Sequence, residues 1–192
     1  GLVNHHLPLE NYPTVSPLLA LQRILDNIRQ RNQINTYQRG VNSVSFSGDG
    51  KLLAMAGKDG TVQLWNINGK RLRAFPVHNK SVRSVRFSPN DNSLATASED
   101  GTAKLWDLKG KHLAEFKGHQ GSVNNVRFSP TGKLLATSGD DGTVRLWTLS
   151  GQQVVEFKAH KNSINNLSFN PDGRLLATVG KEGLGKIWDL KG

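Results

Sequence analysis

The 192-residue sequence contains no cysteine, which excludes disulfide bonds and thiolate metal sites. It has no apolar run near the roughly 18 residues that a membrane-spanning helix needs. Its first residues, GLVNHHLPLENYP, lack the basic region and long apolar core of a signal peptide. We therefore expect a cytoplasmic protein that makes no membrane contact.

Acidic residues are few: 15 Asp and Glu stand against 25 Lys and Arg, for a formal net charge of +10. The basic excess is spread along the chain and forms no tail. Such a surplus is compatible with an ordinary solvated surface and also with an acidic partner or a nucleic acid. A nucleic-acid footprint additionally needs the basic residues to share one face.

Tryptophan is also scarce, and its four copies are regularly placed. Trp65, Trp106, Trp147 and Trp188 each lie 41 residues from the next. The flanking text recurs as SVRSVRFSPNDNSLATASEDGTAKLWDLKG, SVNNVRFSPTGKLLATSGDDGTVRLWTLSG and SINNLSFNPDGRLLATVGKEGLGKIWDLKG, after a looser first copy, GVNSVSFSGDGKLLAMAGKDGTVQLWNING. Four copies in one register predict a repeat architecture.

The sequence of each copy predicts four short strands separated by turns. In the third copy, Val126 and Phe128 alternate with polar residues, and LLATSG forms a short apolar strand. DDG is a tight turn in which Gly142 can take positive φ without steric cost. TVRLWTL alternates again, and QVVEFK supplies the fourth strand. Four antiparallel strands at this period are typical of a propeller blade.

The chain resembles WD-repeat (WD40) β-propeller proteins over about residues 37–192. The Trp-Asp pair stands at Trp106-Asp107 and Trp188-Asp189, while Trp65 and Trp147 are followed by Asn and Thr. The resemblance implies an all-β fold with four blades of four antiparallel strands, as half or part of a larger ring. The implied repeats span about residues 37–77, 78–118, 119–159 and 160–192.

In that family a buried chain of hydrogen bonds joins His, Thr, Asp and Trp within a blade. A catalytic triad uses similar groups, but a catalytic site is normally single, whereas this set recurs. We therefore predict a structural role, in which the polar groups satisfy one another, and no catalytic residue. The first copy keeps Asp59 and Trp65 but has Tyr37 and Met55 for His and Thr, so its blade is predicted to be the loosest. The full sets are His78, Thr96, Asp100 and Trp106; His119, Thr137, Asp141 and Trp147; and His160, Thr178, Glu182 and Trp188.

The stretch GKEGLGKIWD matches the Gly-x-x-x-x-Gly-Lys core of a phosphate-binding loop. Ile187 follows Lys186 where that loop needs Ser or Thr, and a predicted strand follows where it needs a helix. We interpret the match as the turn of a blade and predict no nucleotide or other cofactor. The adjacent His5 and His6 have no third ligand in view, so no metal site is predicted.

Residues 1–36 form an N-terminal extension. SPLLALQRILDNIRQRN predicts a helix over about residues 16–30, with Ser16 as its cap and Pro17 in its first turn. Residues 31–36 hold the place of an outer blade strand. The segment resembles the connector before WD repeats in large bacterial, cyanobacterial-like multidomain proteins, some of which place the repeats behind a signalling NTPase.

Closed propellers typically have 4 to 8 blades. Here four copies occur, and the last lacks its outer strand, which would leave apolar blade faces in water. The chain is part of a longer propeller, or two copies form an eight-bladed homodimer in which residues 31–36 complete the partner's last blade, or one copy closes as a small ring. We favour the homodimer for the isolated chain and a longer chain as its origin.

The resemblance also places loops and turns of successive blades on one face. We predict a non-enzymatic scaffold that presents this polar, mainly basic face to a protein or peptide partner of acidic character. The alternative is a sensor or oligomerisation module of a larger bacterial signalling NTPase. A nucleic-acid partner is disfavoured, because the tryptophans are committed to the blades. The predicted partner-binding residues are Arg39, Asn42, Lys58, Lys80, Arg83, Gln120, Asn124, Lys161, Asn165 and Lys181, with Glu99 and Asp140 nearby.

Overall fold

The computed structural model describes residues 33–34 and 40–190. The chain divides into two compact units, residues 1–33 and 34–192, and every strand below belongs to the second. The helix predicted over residues 16–30 lies outside the described residues, as does Tyr37. Of the strand predicted over 31–36, only residues 33 and 34 are described, and they have no regular secondary structure.

The four repeats form four antiparallel sheets, each with its strands in sequence order. This confirms the predicted all-β propeller architecture. Three sheets have four strands, and the last has three within the described part of the chain. Blade 1 contains β1 (Val41–Phe46), β2 (Leu52–Gly57), β3 (Thr61–Asn66) and β4 (Arg71–Pro76); blade 2 contains β5 (Val82–Phe87), β6 (Ser93–Ser98), β7 (Thr102–Asp107) and β8 (His112–Lys117); blade 3 contains β9 (Val123–Phe128), β10 (Leu134–Gly139), β11 (Thr143–Thr148) and β12 (Gln153–Lys158); blade 4 contains β13 (Ile164–Phe169), β14 (Leu175–Gly180) and β15 (Gly185–Asp189).

The tight turns follow from glycine. Gly142 has φ +68°, and a Cβ on it would collide with the carbonyl oxygen of His160. Gly183 takes φ +82° in the equivalent turn of blade 4. The Gly180–Lys186 stretch is therefore a strand, a turn and the start of β15, with no helix after it. A phosphate-binding loop needs that helix.

The first strand of each blade carries a β-bulge near its start. In β1, Val41 pairs with Gly57 and Ser43 with Ala56, so the residue between them has no partner in the register. The same skip recurs in β5, β9 and β13. A bulge bends the strand locally and re-aims a side chain. The skipped residues are Asn42, Arg83, Asn124 and Asn165.

Neighbouring blades pack through a repeated apolar contact. The face of blade 1 that carries Ala54, Val62 and Leu64 contacts the face of blade 2 that carries Val85 and Phe87, and all five are buried. Equivalent residues join blade 2 to blade 3 and blade 3 to blade 4. Small residues on one side leave room for Val and Phe on the other, which gives the close packing of a protein interior.

The two ends of the array expose the same positions that the internal junctions bury. We call the end of blade 1 the leading face (Val41, Val44, Phe46 and Ile67) and the end of blade 4 the trailing face (Ala177, Val179 and Ile187). Phe46 is 62% exposed, whereas the equivalent Phe87 is 8% exposed. Ile187 is 73% exposed, whereas the equivalent Leu105 is 4% exposed.

Candidate functional site

A four-membered polar chain runs through the interior of blade 3. The Trp147 indole N–H donates to Thr137 Oγ1 at 2.9 Å. Thr137 Oγ1 lies 2.9 Å from His119 Nε2, and His119 Nδ1 lies 2.9 Å from an Asp141 carboxylate oxygen. A carboxylate on Nδ1 assigns the proton to that nitrogen, so Nε2 accepts from the threonine hydroxyl. Each polar group is satisfied in series.

Blades 2 and 4 repeat this chain. In blade 2, His78 lies 2.8 Å from both Thr96 and Asp100, and Trp106 donates to Thr96 at 3.0 Å. In blade 4 a glutamate takes the place of the aspartate. The distances there are 2.8 Å for His160 to Thr178, 2.6 Å for His160 to Glu182 and 2.9 Å for Trp188 to Thr178.

The same geometry matches a hydroxyl–imidazole–carboxylate triad, and burial decides its role. The hydroxyls belong to Thr96, Thr137 and Thr178, all of which are buried, and each also receives an indole N–H. An attacking hydroxyl has to reach a substrate. These hydroxyls lie inside the blades, which fits cohesion of the sheet.

Blade 1 is built differently. Its Trp65 indole donates to Gln63 Oε1 at 3.1 Å. Asp59 accepts from the backbone and side chain of Thr61. Sequence reasoning missed Gln63, which stands where the other repeats have Lys or Arg; that departure from the repeat was the available signal. That blade 1 is the loosest stays a prediction.

Acidification is expected to destabilise the fold in two stages. Burial lowers the pKa of His78 despite the opposing charge of Asp100. The unfolded chain therefore takes up this proton first, and stability falls as the pH drops below about 6.5. Burial alone would raise the pKa of Asp141, but hydrogen bonds led by that from His119 lower it. Its contribution is present above about pH 4 and is lost below that value.

Urea unfolding between pH 7 and 2 measures both stages. His78→Gln removes the first titration, whereas His112→Gln, on an exposed residue of β8, is its matched control. We expect the drop between pH 7 and 5.5 to be smaller in His78→Gln than in the control. Equal drops in the two variants would contradict the assignment to His78.

Two of the four bulged residues tie neighbouring blades together. Asn42 Nδ2 donates to Ser81 Oγ at 2.7 Å and to the Val82 carbonyl at 3.0 Å, both in the segment that enters blade 2. Asn124 makes the equivalent bonds to Ser163, at 3.0 Å, and to the Ile164 carbonyl. These two amides, predicted as partner-binding, are thus committed to blade junctions. The two serines were missed, although Asn followed 39 residues later by Ser is visible in the sequence.

The other two bulged residues are exposed. Arg83 pairs with Glu99 within blade 2, with 2.7 Å between Nη2 and Oε1. The side chain of Asn165 lies at the end of the described array, because no fifth blade stands beside it. Its place in the repeat equals that of the junction residues Asn42 and Asn124.

A cavity of about 760 Å³ opens on the face where the first strands begin. We call it the rim cavity. Among the described residues of its lining, the basic side chains are Arg83, Lys161 and Lys181, and the one acidic residue is Asp140. Burial would raise the pKa of Asp140, but hydrogen bonds, the largest from Asn124, lower it, so this carboxylate is ionised and already engaged. The complete lining is Arg83, Asn124, Asp140, Lys161, Asn162, Ser163, Asn165 and Lys181.

The structure therefore brings five of the ten predicted partner-binding residues to one cavity: Arg83, Asn124, Lys161, Asn165 and Lys181. Lys58, Lys80 and Gln120 are exposed but are not among its lining residues. Arg39 lies outside the described residues. The family resemblance could indicate the face, but the bulges that orient its side chains leave no obvious sequence signal.

The described residues lack two kinds of feature. Within residues 33–34 and 40–190, no helix has the length and apolar character needed to span a membrane. The same residues hold no group of three or more His, Cys, Asp or Glu side chains placed to bind a metal ion.

Sheets of four antiparallel strands, packed face to face with their first strands adjacent, define a β-propeller segment. The family model described as WD domain, G-beta repeat, matches residues 30–66, 69–107, 110–148 and 151–189. The chain belongs to the WD-repeat family. Proteins of this family generally act as non-enzymatic scaffolds that bind proteins or peptides. The first match begins at residue 30, which gives residues 31–36 the repeat position that β4, β8 and β12 occupy in later repeats.

Two known proteins are similar to this chain, one in sequence and one in structure. It is 44% identical over 76 residues to an uncharacterized WD repeat-containing protein, slr0143, of Synechocystis, a match that covers 37% of this chain and 6% of that protein. The chain thus matches a small part of a much longer relative. Its structure is similar to that of the computationally designed Ika4 protein, with a TM-score of 0.74 and 26% identity over 84% of this chain and 98% of the other.

Proposed function

We propose that the protein is a scaffold that binds an acidic peptide or protein segment at the rim cavity. The observation that carries this proposal is the charge of the lining: three basic side chains surround one carboxylate that is already hydrogen-bonded. An acidic segment placed there gains favourable interactions with Lys161 and Lys181, while Arg83 already pairs with Glu99.

Rigidity supports the same proposal. Asn124 and Ser163 bond to each other and to Asp140 across the junction of blades 3 and 4. The bulge in β13 holds Asn165 out of the ladder. A site on such a fixed framework loses little conformational entropy when a partner binds.

Charge reversal at the rim tests this proposal. The double variant Lys161→Glu, Lys181→Glu is expected to weaken binding of a fluorescein-labelled oligoglutamate peptide by about tenfold or more, because each exposed pair is worth up to about 1 kcal/mol. Fluorescence anisotropy measures the affinity. Binding to the unmodified protein should also weaken as salt screens the charges.

The matched control is Lys109→Glu, Lys133→Glu, which makes the same charge change at exposed turns on the opposite edge of the blades. This variant should bind the peptide nearly as well as the unmodified protein. An equal loss in both double variants would reduce the effect to net charge and overturn the rim assignment.

We further propose that two copies associate head to tail, each trailing face packing on the partner's leading face to give eight blades. The argument is continuity: Val44, Phe46, Val179 and Ile187 repeat positions that are buried at the internal junctions. A contact between the two faces would bury them in the same way. Asn165 would then donate to the partner's Val41 carbonyl, as Asn124 does to Ile164.

The sequence position of residues 31–36 supports this arrangement. They match the family model where β4, β8 and β12 lie in the later repeats. Blade 4 ends at β15 in the described residues, so the edge of β15 can accept an outer strand. An added strand would cover that edge and satisfy its backbone groups.

We also propose a second role, as a sensor or oligomerisation module of a larger bacterial signalling NTPase. The match to a small part of a much longer cyanobacterial WD-repeat protein favours a multidomain setting. A nucleotide-binding domain encoded directly upstream of residue 1 would favour this role over the free-standing scaffold.

A further inference from the structure

Two arginines lie on neighbouring first strands, near the end opposite the rim cavity. Arg86 in β5 and Arg127 in β9 occupy equivalent repeat positions, where blades 1 and 4 have Ser45 and Ser168. Both line a second cavity of about 380 Å³. We call it the arginine cavity.

Among the described residues, both guanidinium groups make hydrogen bonds to neutral groups alone. None of the ion pairs among residues 40–190 includes either arginine. Within the described part of the chain, all hydrogen bonds of Arg86 come from Nη1 and none from Nη2 or Nε. The acceptors are Val85 O at 2.6 Å, Val44 O at 3.2 Å and Ser43 Oγ at 3.2 Å for Arg86, and Val126 O at 2.9 Å and Asn166 Oδ1 at 3.2 Å for Arg127.

The one acidic residue in the lining, Asp91, is engaged elsewhere. Its carboxylate accepts from the backbone N–H groups of Gly48, at 2.6 Å, and Asp49, at 3.1 Å, and so holds the first turn of blade 1. The positive charge of the two arginines thus has no ion-pair partner among the described residues that line the cavity.

Burial makes this charge costly. It lowers the pKa of Arg86, and burial followed by the charge of Arg86 lowers the pKa of Arg127 to about 10. Both groups remain charged at neutral pH, yet each has lost water without gaining a counter-ion. A charge taken out of water is stabilised when an opposite charge with hydrogen-bonding capacity joins it.

We propose that the arginine cavity binds a phosphate group, either as the free ion or as the ester of a small molecule. A guanidinium presents a planar fork of N–H donors that fits phosphate oxygens. Phe87, Phe128, Pro89 and Pro130 supply apolar walls beside the two forks. A few fixed polar groups in a mainly apolar cavity are typical of small-molecule sites.

Calorimetric titration with inorganic phosphate and with glucose 6-phosphate, at constant ionic strength in chloride, tests the proposal. We expect saturable binding of one phosphate group per chain, weakened about tenfold or more in Arg127→Ser and in Arg86→Ser. Serine occupies this position in blades 1 and 4, so the repeat accommodates it. Tighter binding of the sugar phosphate would identify an ester as the ligand, and equal or weaker binding the free ion.

The matched control is Arg73→Ser, which removes one positive charge from the exposed outer strand β4, outside the lining of both cavities, and should leave phosphate binding unchanged. The proposal is overturned if neither ligand binds saturably, or if the control loses as much affinity as the cavity variants. Should a cavity variant not fold, the arginine side-chain NMR resonances of the unmodified protein decide: phosphate must shift those of Arg86 and Arg127 and leave that of Arg73 in place.

Discussion

Replacing Ile187 with aspartate is expected to convert an associated protein into a folded monomer. Ile187 is 73% exposed in a single chain, so the substitution costs the isolated blades little. In a head-to-tail pair it would bury a carboxylate among apolar groups such as Phe46 and Val44 of the partner. An unpaired buried charge costs about 3 kcal/mol or more. A closed pair has two such junctions, so the dissociation constant should rise by about four orders of magnitude or more.

Light scattering after size exclusion measures this directly. The unmodified chain should have twice the 21.0 kDa of one copy, and Ile187→Asp should have the single mass. The matched control is Leu113→Asp on β8. Leu113 is exposed, as are Leu72 and Val154 at the equivalent outer-strand positions, and none of them belongs to a blade junction. A stable monomer of the unmodified chain, or equal loss of mass in the control, would contradict head-to-tail association.

Replacing Thr137 with valine is expected to lower the free energy of unfolding by about 2–5 kcal/mol. Val keeps the shape of Thr but removes the hydroxyl that accepts from Trp147 and bonds His119 Nε2. Both partners are buried and would be left unsatisfied, at about 1–3 kcal/mol each. The loss should be large because one atom serves two buried groups.

Urea denaturation followed by circular dichroism, at a fixed protein concentration, measures the loss. Thr131→Val is the control: Thr131 is exposed in the turn after β9 and its hydroxyl contacts Ser129. Its effect should lie within about 0.5 kcal/mol. A cost below about 1 kcal/mol for Thr137→Val would mean that the polar chain contributes little to the stability of blade 3.

The fold was predictable because the repeat reports the same local pattern four times. Three features recur in the copies: the alternation around Val126 and Phe128, the glycine of the DDG turn and the spacing of the tryptophans. A pattern that arose by chance in one copy would not recur in the others. The N-terminal helix was predicted from a single stretch of sequence that does not recur, and it lies outside the described residues.

The candidate site was less predictable, because it depends on register. The family resemblance placed four residues on one face, Asn42, Arg83, Asn124 and Asn165. Their contacts, however, follow from bulges and from which blade stands beside them. Asn124 reaches Ser163, whereas the equivalent Arg83 turns to Glu99. Side-chain length and the neighbouring turn decide between these outcomes. Gln63 was missed because its role is a hydrogen bond from the Trp65 indole, and that contact is visible only in the structure.

The leading and trailing faces have a consequence for assembly. They are different surfaces. When one chain binds the next, the assembly therefore still has a free leading face at one end and a free trailing face at the other. Such polar growth stops when the accumulated rotation brings the first end back to the last; otherwise it continues as an open fibre. The angle between successive sheets therefore sets the stoichiometry. A substitution that opens this angle, even far from either end, would exchange a closed particle for a filament.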